Sequence, residues 1–168
     1  MDNIIFIGMP ASGKSTIGVV VAKRLGFEFI DTDLLIQKQE KRLLSEIIDE
    51  EGIDGFLAIE DQVNSDVEAE HTVIAPGGSV VYCQKAMEHY KQIGMVVYLQ
   101  ASFETIDNRI KSAEERGVVL RDGQTFEELF EERRVLFEKY ADVTISEEDL
   151  TLEETIGKVL KVLEKKGF

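Results

Sequence analysis

The segment that most constrains this chain follows an apolar run at residues 4–7 and reads Gly8-Met9-Pro10-Ala11-Ser12-Gly13-Lys14-Ser15. Apolar residues at helical spacing begin directly after it. A glycine-rich turn between a strand and a helix lets backbone N–H groups surround phosphate oxygens, and the helix amino end adds a partial positive charge. The alternative is a glycine turn that merely joins strand to helix, but the complete Lys-Ser ending argues against it. The segment therefore predicts a phosphate-binding loop.

The residues of this loop have different expected tasks. Lys14 should reach the β and γ phosphates of a nucleoside triphosphate, and the Ser15 hydroxyl should ligate Mg²⁺. The residues that we expect to bind the nucleotide here are Gly8, Ala11, Ser12, Gly13, Lys14, Ser15 and Thr16. Mg²⁺ and a nucleoside triphosphate are therefore the expected cofactors.

Segments that the chain lacks exclude several classes of phosphate-loop protein. The Asn-Lys-x-Asp segment that reads guanine in GTPases is missing, because none of Asn3, Asn64 and Asn108 is followed by lysine. With 168 residues, the chain also leaves no room for the appended domains of motor or transporter ATPases. A small-molecule kinase that uses ATP fits best.

Apolar runs alternate with segments of helical spacing along the whole chain. The runs cover residues 4–7, 27–30, 72–75, 95–99 and 143–145. This alternation predicts a three-layer α/β/α fold with a mostly parallel five-stranded sheet. Capping boxes predict helix starts after Thr125, with Glu128, and after Thr151, with Glu154. We expect residues 1–168 to form a single domain, with the polar stretch 111–124 as a mobile lid.

Charge and cysteine content exclude several classes of function. The chain has 33 acidic and 19 basic residues, for a net charge of −14, so it has no long-range attraction to nucleic acid or to anionic lipid. It has one cysteine, and no segment has a signal-peptide pattern or the ~18 apolar residues of a membrane span. We therefore expect a cytoplasmic monomer that binds a small molecule, and neither nucleic acid nor a membrane.

Two carboxylates follow the second apolar run. In an extended segment, Asp31 and Asp33 would point to the same side at the carboxyl end of a strand, where substrate clefts of α/β sheets lie. One carboxylate would hold Mg²⁺ through water, and the other would accept the proton of an attacking hydroxyl. The alternative is an Asx turn or a cap for the following helix. Next to a phosphate loop, the functional interpretation is favoured.

Further candidates lie later in the chain. Gly77 and Gly78 follow the third apolar run and would let backbone amides approach a ligand, although a plain turn explains them nearly as well. Arg133 lies within the apolar stripe of the helix that Thr125 opens. It either forms a structural ion pair or holds an anionic ligand. Glu60 lies within a similar stripe, so pairing between Glu60 and an arginine is one interpretation.

In the order and spacing of these motifs the chain resembles the shikimate kinase family, whose fold is that of nucleoside monophosphate kinase-like P-loop NTPases. The resemblance covers nearly the whole chain. It rests on the phosphate loop, Asp31-Thr32-Asp33, Phe56 with Glu60, Gly77-Gly78, and an Arg-x-x-Leu-aromatic segment that ends in Ala141-Asp142. It implies ATP-dependent phosphoryl transfer to a hydroxyl of shikimate, a step of aromatic amino acid biosynthesis.

The resemblance also implies roles for individual residues. On the donor side, Lys14 contacts the transferring phosphate, Ser15 and Asp31 serve Mg²⁺, Arg109 lies near adenine, and Arg116 is the lid cation that closes over the phosphates. Arg121 is near enough in sequence to be confused with Arg116. On the acceptor side, Asp33 orients or deprotonates the hydroxyl, Gly77 and Gly78 give backbone contacts, and Arg133 binds the carboxylate.

The chain departs from the family pattern mainly on the acceptor side. Leu57 replaces an arginine that contacts the substrate carboxylate, and Ser79 replaces the third glycine of a triplet. The lid has Arg116-Gly117 in place of Arg-Pro, and Arg133-Arg134-Val135-Leu136-Phe137 replaces Arg-x-Pro-Leu-Tyr. The residues expected to line the acceptor site are thus Asp33, Leu57, Glu60, Gly77, Gly78, Ser79 and Arg133.

These observations favour an ATP-dependent kinase for a small carboxylate-bearing metabolite, with shikimate as the best single candidate. Leu57 and Ser79 favour a rival, a kinase for another hydroxy acid or polyol such as a sugar acid. A nucleotide-binding regulatory module without acceptor chemistry is the third possibility, but it would not require Asp33, Glu60 and Arg133. Leu57 predicts poor use of shikimate unless Arg134 or another cation contacts the carboxylate.

Overall fold

The structure is a computed structural model that describes residues 2–112 and 120–168. The described residues form a five-stranded sheet of parallel strands in the order β2-β3-β1-β4-β5. The strands are β1 (Asn3–Ile7), β2 (Glu28–Asp31), β3 (Thr72–Ala75), β4 (Gly94–Gln100) and β5 (Val143–Ser146). Every strand end lies within one residue of the end predicted from the apolar runs. The predicted fold class is confirmed.

Helices connect these strands within the described ranges. They are α1 (Lys14–Leu25), α2 (Thr32–Glu40), α3 (Leu44–Ser65), a 3₁₀ helix (Val80–Tyr82), α4 (Gln84–Ile93), α5 (Phe103–Ser112), α6 (Phe126–Tyr140) and α7 (Leu152–Lys166). Both predicted capping boxes are present, because Thr125 and Thr151 accept hydrogen bonds from the backbone N–H groups of Glu128 and Glu154. None of the helices in these ranges is long and apolar enough to cross a membrane.

Alternation along β1 explains the three layers. Ile5 and Ile7 point to one face of the sheet, where they join a core with residues of α4, α5 and α6. Ile4 and Phe6 point to the other face, where they pack with residues of α1 and α7. A third, smaller cluster joins α2 to α3 beside the sheet. Both faces of the sheet are therefore covered by helices, as parallel sheets require.

The strand order determines where a ligand can bind. Strands β1 and β3 are adjacent, but the chain leaves β1 toward β2 at one edge of the sheet and leaves β3 toward β4 on the other side. A crevice forms at the carboxyl ends of strands where the order reverses in this way. The phosphate loop follows β1, Asp31 ends β2, and Gly77 follows β3 closely. All three therefore lie at the same edge of the sheet.

Half of the predicted lid, residues 113–119, lies outside the described residues. Lys111 and Ser112 are the last residues of α5, and Leu120 to Gln124 lead into α6. Residues 113–119 are not described, and Arg116 is among them. The predicted lid and the predicted role of Arg116 therefore stay predictions.

Candidate active site

The phosphate loop turns sharply before α1. Gly13 is the N-cap residue of α1 and has a left-handed backbone, with φ 86°, which a residue with a Cβ rarely adopts. The loop closes on itself through a hydrogen bond from the Ser12 N–H to the Met9 carbonyl, at 3.1 Å. The first N–H groups of α1 are thus free to bind phosphate oxygens.

The Lys14 side chain folds back against the phosphate loop. Its Nζ donates hydrogen bonds to the carbonyls of Gly8 and Met9, at 3.0 and 2.8 Å. Burial lowers the pKa of Lys14 to about 8, and the nearby Asp33 carboxylate opposes this effect. The ammonium group is therefore largely stripped of water and held inside the phosphate loop.

Ser15 and Asp31 bring two oxygens together beside the loop. The Ser15 hydroxyl donates to Asp31 Oδ2 at 3.0 Å. Hydroxyl and carboxylate oxygens suit Mg²⁺, which keeps several water or phosphate ligands of its own. No group of three or more His, Cys, Asp or Glu side chains is placed to hold a metal anywhere in residues 2–112 or 120–168. The residues present therefore fit a Mg²⁺ ion that is held mainly by phosphate and water.

The prediction that Asp31 and Asp33 lie in one extended segment is wrong. Asp31 is the last residue of β2, but Asp33 lies in the first turn of α2, so the two do not alternate along one extended segment. Asp31 also caps this helix, because its Oδ1 accepts a hydrogen bond from the Asp33 N–H at 3.0 Å. The cap and the metal-binding interpretation therefore apply to the same side chain.

Two carboxylates converge on Gly77. A Cβ at this glycine would lie 2.8 Å from Asp33 Oδ1 and 3.1 Å from Glu60 Oε1. Burial raises the pKa of Asp33 to about 6, with the Asp31 carboxylate adding to the shift and Lys14 opposing it. Burial also raises the pKa of Glu60 to about 7. Because glycine has no side chain, Gly77 leaves the space in which the two carboxylates pack closely.

Glu60 binds Ser79 and forms no ion pair with an arginine in the described ranges. Its Oε2 accepts a hydrogen bond from the Ser79 hydroxyl at 2.6 Å, and its buried Oε1 has no hydrogen-bond partner. The interpretation that Glu60 pairs with an arginine is replaced by this contact. Ser79, a departure from the family pattern, thus stabilises an acid that lies beneath the cleft.

Arg133 is buried on α6 and faces the loop after β3. Its guanidinium carbon lies 5.5 Å from the centroid of the Tyr82 ring. Its Nε is buried without a hydrogen-bond partner, and its Nη1 lies 3.2 Å from where a Cβ on Gly78 would be. Arg134, in contrast, bonds to Glu131 and Glu138 on the outer face of α6. Of the two arginines, Arg133 is therefore the one placed to meet an anion.

A cavity of about 670 Å³ joins the phosphate loop to the acceptor side. Predicted site residues that line it are Ala11, Gly13, Lys14, Ser15, Thr16, Asp31, Asp33, Leu57, Gly77, Gly78, Ser79 and Arg133. Gly8, Ser12 and Glu60 are buried behind this surface. A phosphate donor and an acceptor can therefore meet in one space.

A second cavity, of about 340 Å³, lies on the other side of the loop. Arg109 lines it, donates to the Ala11 carbonyl at 3.0 Å, and lies 3.7 Å from Glu147 Oε1. Burial raises the pKa of Glu147 to about 7, and the charges of Arg109 and Lys14 oppose the shift. Glu147 is not among the residues predicted from the sequence, although its position directly after β5, at the carboxyl edge of the sheet, was an available signal.

Comparison with known families decides which kinase family has this site. The shikimate kinase family model matches residues 10–164. The chain belongs to the shikimate kinase family. It is therefore a kinase-type phosphotransferase.

Several named shikimate kinases are similar to this chain over nearly their whole length. The shikimate kinase of Thermodesulfovibrio yellowstonii is 36% identical over 98% of this chain and 96% of that protein. The crystal structure of the Aquifex aeolicus shikimate kinase has a TM-score of 0.81 and 31% identity, covering 99% of this chain and 98% of that one. A shikimate kinase from Acinetobacter baumannii, solved in complex with shikimate, has a TM-score of 0.87 and 26% identity over the full chain and 96% of that one.

Proposed function

We propose that this chain transfers the γ-phosphoryl group of ATP to a hydroxyl of shikimate. The observation that carries the proposal is the cavity of about 670 Å³, in which the phosphate loop, the Asp33 carboxylate and the Arg133 guanidinium line the same space. A phosphate donor, a base and a carboxylate-binding cation are the groups that phosphorylation of a hydroxy acid requires.

On the donor side, the loop would hold the phosphates and Arg109 would lie against the adenine. The N–H groups at the start of α1 and the ammonium of Lys14 bind the β and γ phosphates. Ser15 and Asp31 would hold Mg²⁺, which neutralises charge that develops on the phosphate oxygens when it is bound. Arg116 is proposed as a further cation for the transferring phosphate.

On the acceptor side, Asp33 would act on the hydroxyl. The hydroxyl oxygen forms a bond to the γ-phosphorus, the bond from that phosphorus to the β–γ bridging oxygen breaks, and Asp33 accepts the hydroxyl proton. Above pH 6 the Asp33 carboxylate is mostly ionised, because its pKa is about 6, so it can act as this base near neutrality. Arg133 would hold the substrate carboxylate, and the backbone of Gly77 and Gly78 would position the ring.

The cellular location, the oligomeric state and the class of ligand are also part of the proposal. We propose a monomer in the cytoplasm, a compartment in which a single free cysteine such as Cys83 is typical. The substrate is a small molecule, which agrees with a net charge of −14 that repels nucleic acid and anionic lipid.

The test is an ATP-consumption screen of the purified protein over shikimate, gluconate and other hydroxy acids. We expect shikimate to give the highest kcat/KM and to appear as a phosphorylated product by mass spectrometry. Preferred turnover of a sugar acid would contradict the proposal and favour the rival kinase. ATP binding without consumption of any acceptor would favour a nucleotide-binding module.

A further inference from the structure

We propose that Arg121 supplies a second cation for the substrate carboxylate, acting with Arg133 and taking the place that Leu57 leaves apolar. This inference rests on the proposed function, because it concerns the same acceptor cavity. It assigns a specificity-determining role to a residue that lies outside the matching motifs.

The cations of the cavity support this assignment. The described cationic side chains that line it are those of Lys14, Arg121 and Arg133. Lys14 donates to carbonyls of the phosphate loop and so belongs to the donor end. The two arginines remain for the acceptor end, and a planar guanidinium is the group best suited to bind a carboxylate.

Arg121 lies against the part of α3 that carries Leu57. Its Nη2 donates to Asp54 Oδ1 at 2.8 Å, and Asp54 precedes Leu57 by three residues on α3. Residues three apart on a helix are neighbours on one face. The Arg121 guanidinium is therefore held next to the surface from which an arginine at position 57 would reach into the cavity.

The two arginines also share a neighbour. Tyr82 lines the cavity, its ring faces the Arg133 guanidinium at 5.5 Å, and its hydroxyl lies within electrostatic range of Arg121. A carboxylate bound beside Tyr82 would thus be close to both positive charges.

The ion pair between Arg121 and Asp54 is weak enough to exchange for a substrate. The side chains are 55% and 85% exposed, and an ion pair so open to water contributes little to stability. A substrate carboxylate inside the cavity is less hydrated and attracts the same guanidinium more strongly. Asp54 therefore holds Arg121 at the rim, and the substrate replaces Asp54 on binding.

The experiment compares Arg121→Gln with Arg134→Gln, a matched change on the outer face of α6. We expect Arg121→Gln to raise the KM for shikimate about 10- to 150-fold, the usual range for a lost hydrogen bond to a charged group. The KM for ATP should stay within about twofold, and Arg134→Gln should leave both values unchanged. Thermal unfolding of both variants should match that of the wild type, because both side chains lie at the surface.

Methyl shikimate, which lacks the carboxylate charge, separates a carboxylate contact from a structural effect. The wild type should prefer shikimate to the ester, and Arg121→Gln should lose much of this preference. Equal losses on acid and ester would overturn the assignment, as would an unchanged KM for shikimate in Arg121→Gln.

A second variant tests whether Arg121 replaces a cation at position 57. Leu57→Arg in the Arg121→Gln background should restore the KM for shikimate to near the wild-type value, and failure to restore it would contradict the replacement. Lack of shikimate turnover by the wild type would instead overturn the proposed function, and this inference with it. If the wild type phosphorylates shikimate and Arg121→Gln has the same KM for shikimate, only this inference is overturned.

Discussion

The Ser79 hydroxyl donates a hydrogen bond of 2.6 Å to Oε2 of Glu60, a carboxylate with no exposed surface. This bond favours the ionised form of Glu60, while burial favours the protonated form by more, so the pKa of Glu60 lies at about 7. The hydrogen bond from Ser79 therefore keeps the pKa of Glu60 lower than burial alone would make it, and Glu60 titrates near neutral pH.

Glu60 should make the protein less stable as pH rises through the window from about 4.5 to 7. In this window the unfolded chain has released the Glu60 proton while the folded chain still binds it, because the folded pKa is raised from 4.5 to about 7. Rising pH therefore favours the unfolded state and lowers the free energy of unfolding. Urea unfolding of Glu60→Gln should show a flatter pH dependence than the wild type. The exposed Glu164→Gln should follow the wild type, and parallel curves for Glu60→Gln would contradict the assignment.

Substitutions of Asp33 and Asp31 should change different kinetic parameters. Asp33→Asn should lower kcat by roughly 10²- to 10⁴-fold, the usual cost of losing a general base, with little change in the KM for ATP. Asp31→Asn should instead raise the KM for ATP and the Mg²⁺ concentration needed for half-maximal rate, because Asp31 contacts the Ser15 hydroxyl. Steady-state kinetics with titrated Mg²⁺ would show this, and a higher KM for ATP with unchanged kcat in Asp33→Asn would place Asp33 in the metal site.

Lys14→Ala should abolish turnover without unfolding the chain. The ammonium is buried and its pKa is lowered to about 8 by burial, so its removal deletes a charge that is costly to bury. Circular dichroism and thermal unfolding should therefore match the wild type while ATP consumption is lost. Lys23→Ala, in the exposed last turn of α1, is the matched control and should remain active. Turnover of Lys14→Ala at the wild-type rate would remove the phosphate-loop assignment.

Gly77→Ala should lower the activity of the protein, whereas Gly157→Ala should raise its stability. A Cβ at Gly77 would lie 2.8 Å from Asp33 Oδ1, so Gly77→Ala must displace a carboxylate and should lower kcat/KM. A Cβ at Gly157, inside α7, would meet no heavy atom within 4 Å, so Gly157→Ala should raise stability by about 0.5–1 kcal/mol through helix propensity. Kinetics and thermal unfolding of both variants test this contrast. Full activity of Gly77→Ala would show that Asp33 tolerates the displacement.

Much of the fold was predictable because its signals are local. Buried parallel strands are short apolar runs, so the five runs located β1 to β5 within one residue at each end. The phosphate loop carries its own chemistry in consecutive residues, and the caps at Thr125 and Thr151 depend on residues three positions away.

The acceptor side was less predictable because its contacts depend on tertiary packing. The place where α2 begins decides how Asp33 points, and the alternation assumed for a strand gave the wrong local geometry. The contact between Glu60 and Ser79 joins residues 19 positions apart in the chain, and that between Asp54 and Arg121 joins residues 67 positions apart. Neither pair forms a pattern within any short window of the sequence.

Strand order has a consequence for how the chain is made. Of the five strands, β1 is synthesised before the others, but its neighbours in the sheet are β3 and β4, and β4 ends only at Gln100. Pairing between segments so far apart in the chain is slower than local helix formation. The phosphate loop therefore leaves the ribosome long before the sheet that supports it can close. We expect a nascent chain to gain affinity for nucleotide abruptly, only after Gln100 has emerged.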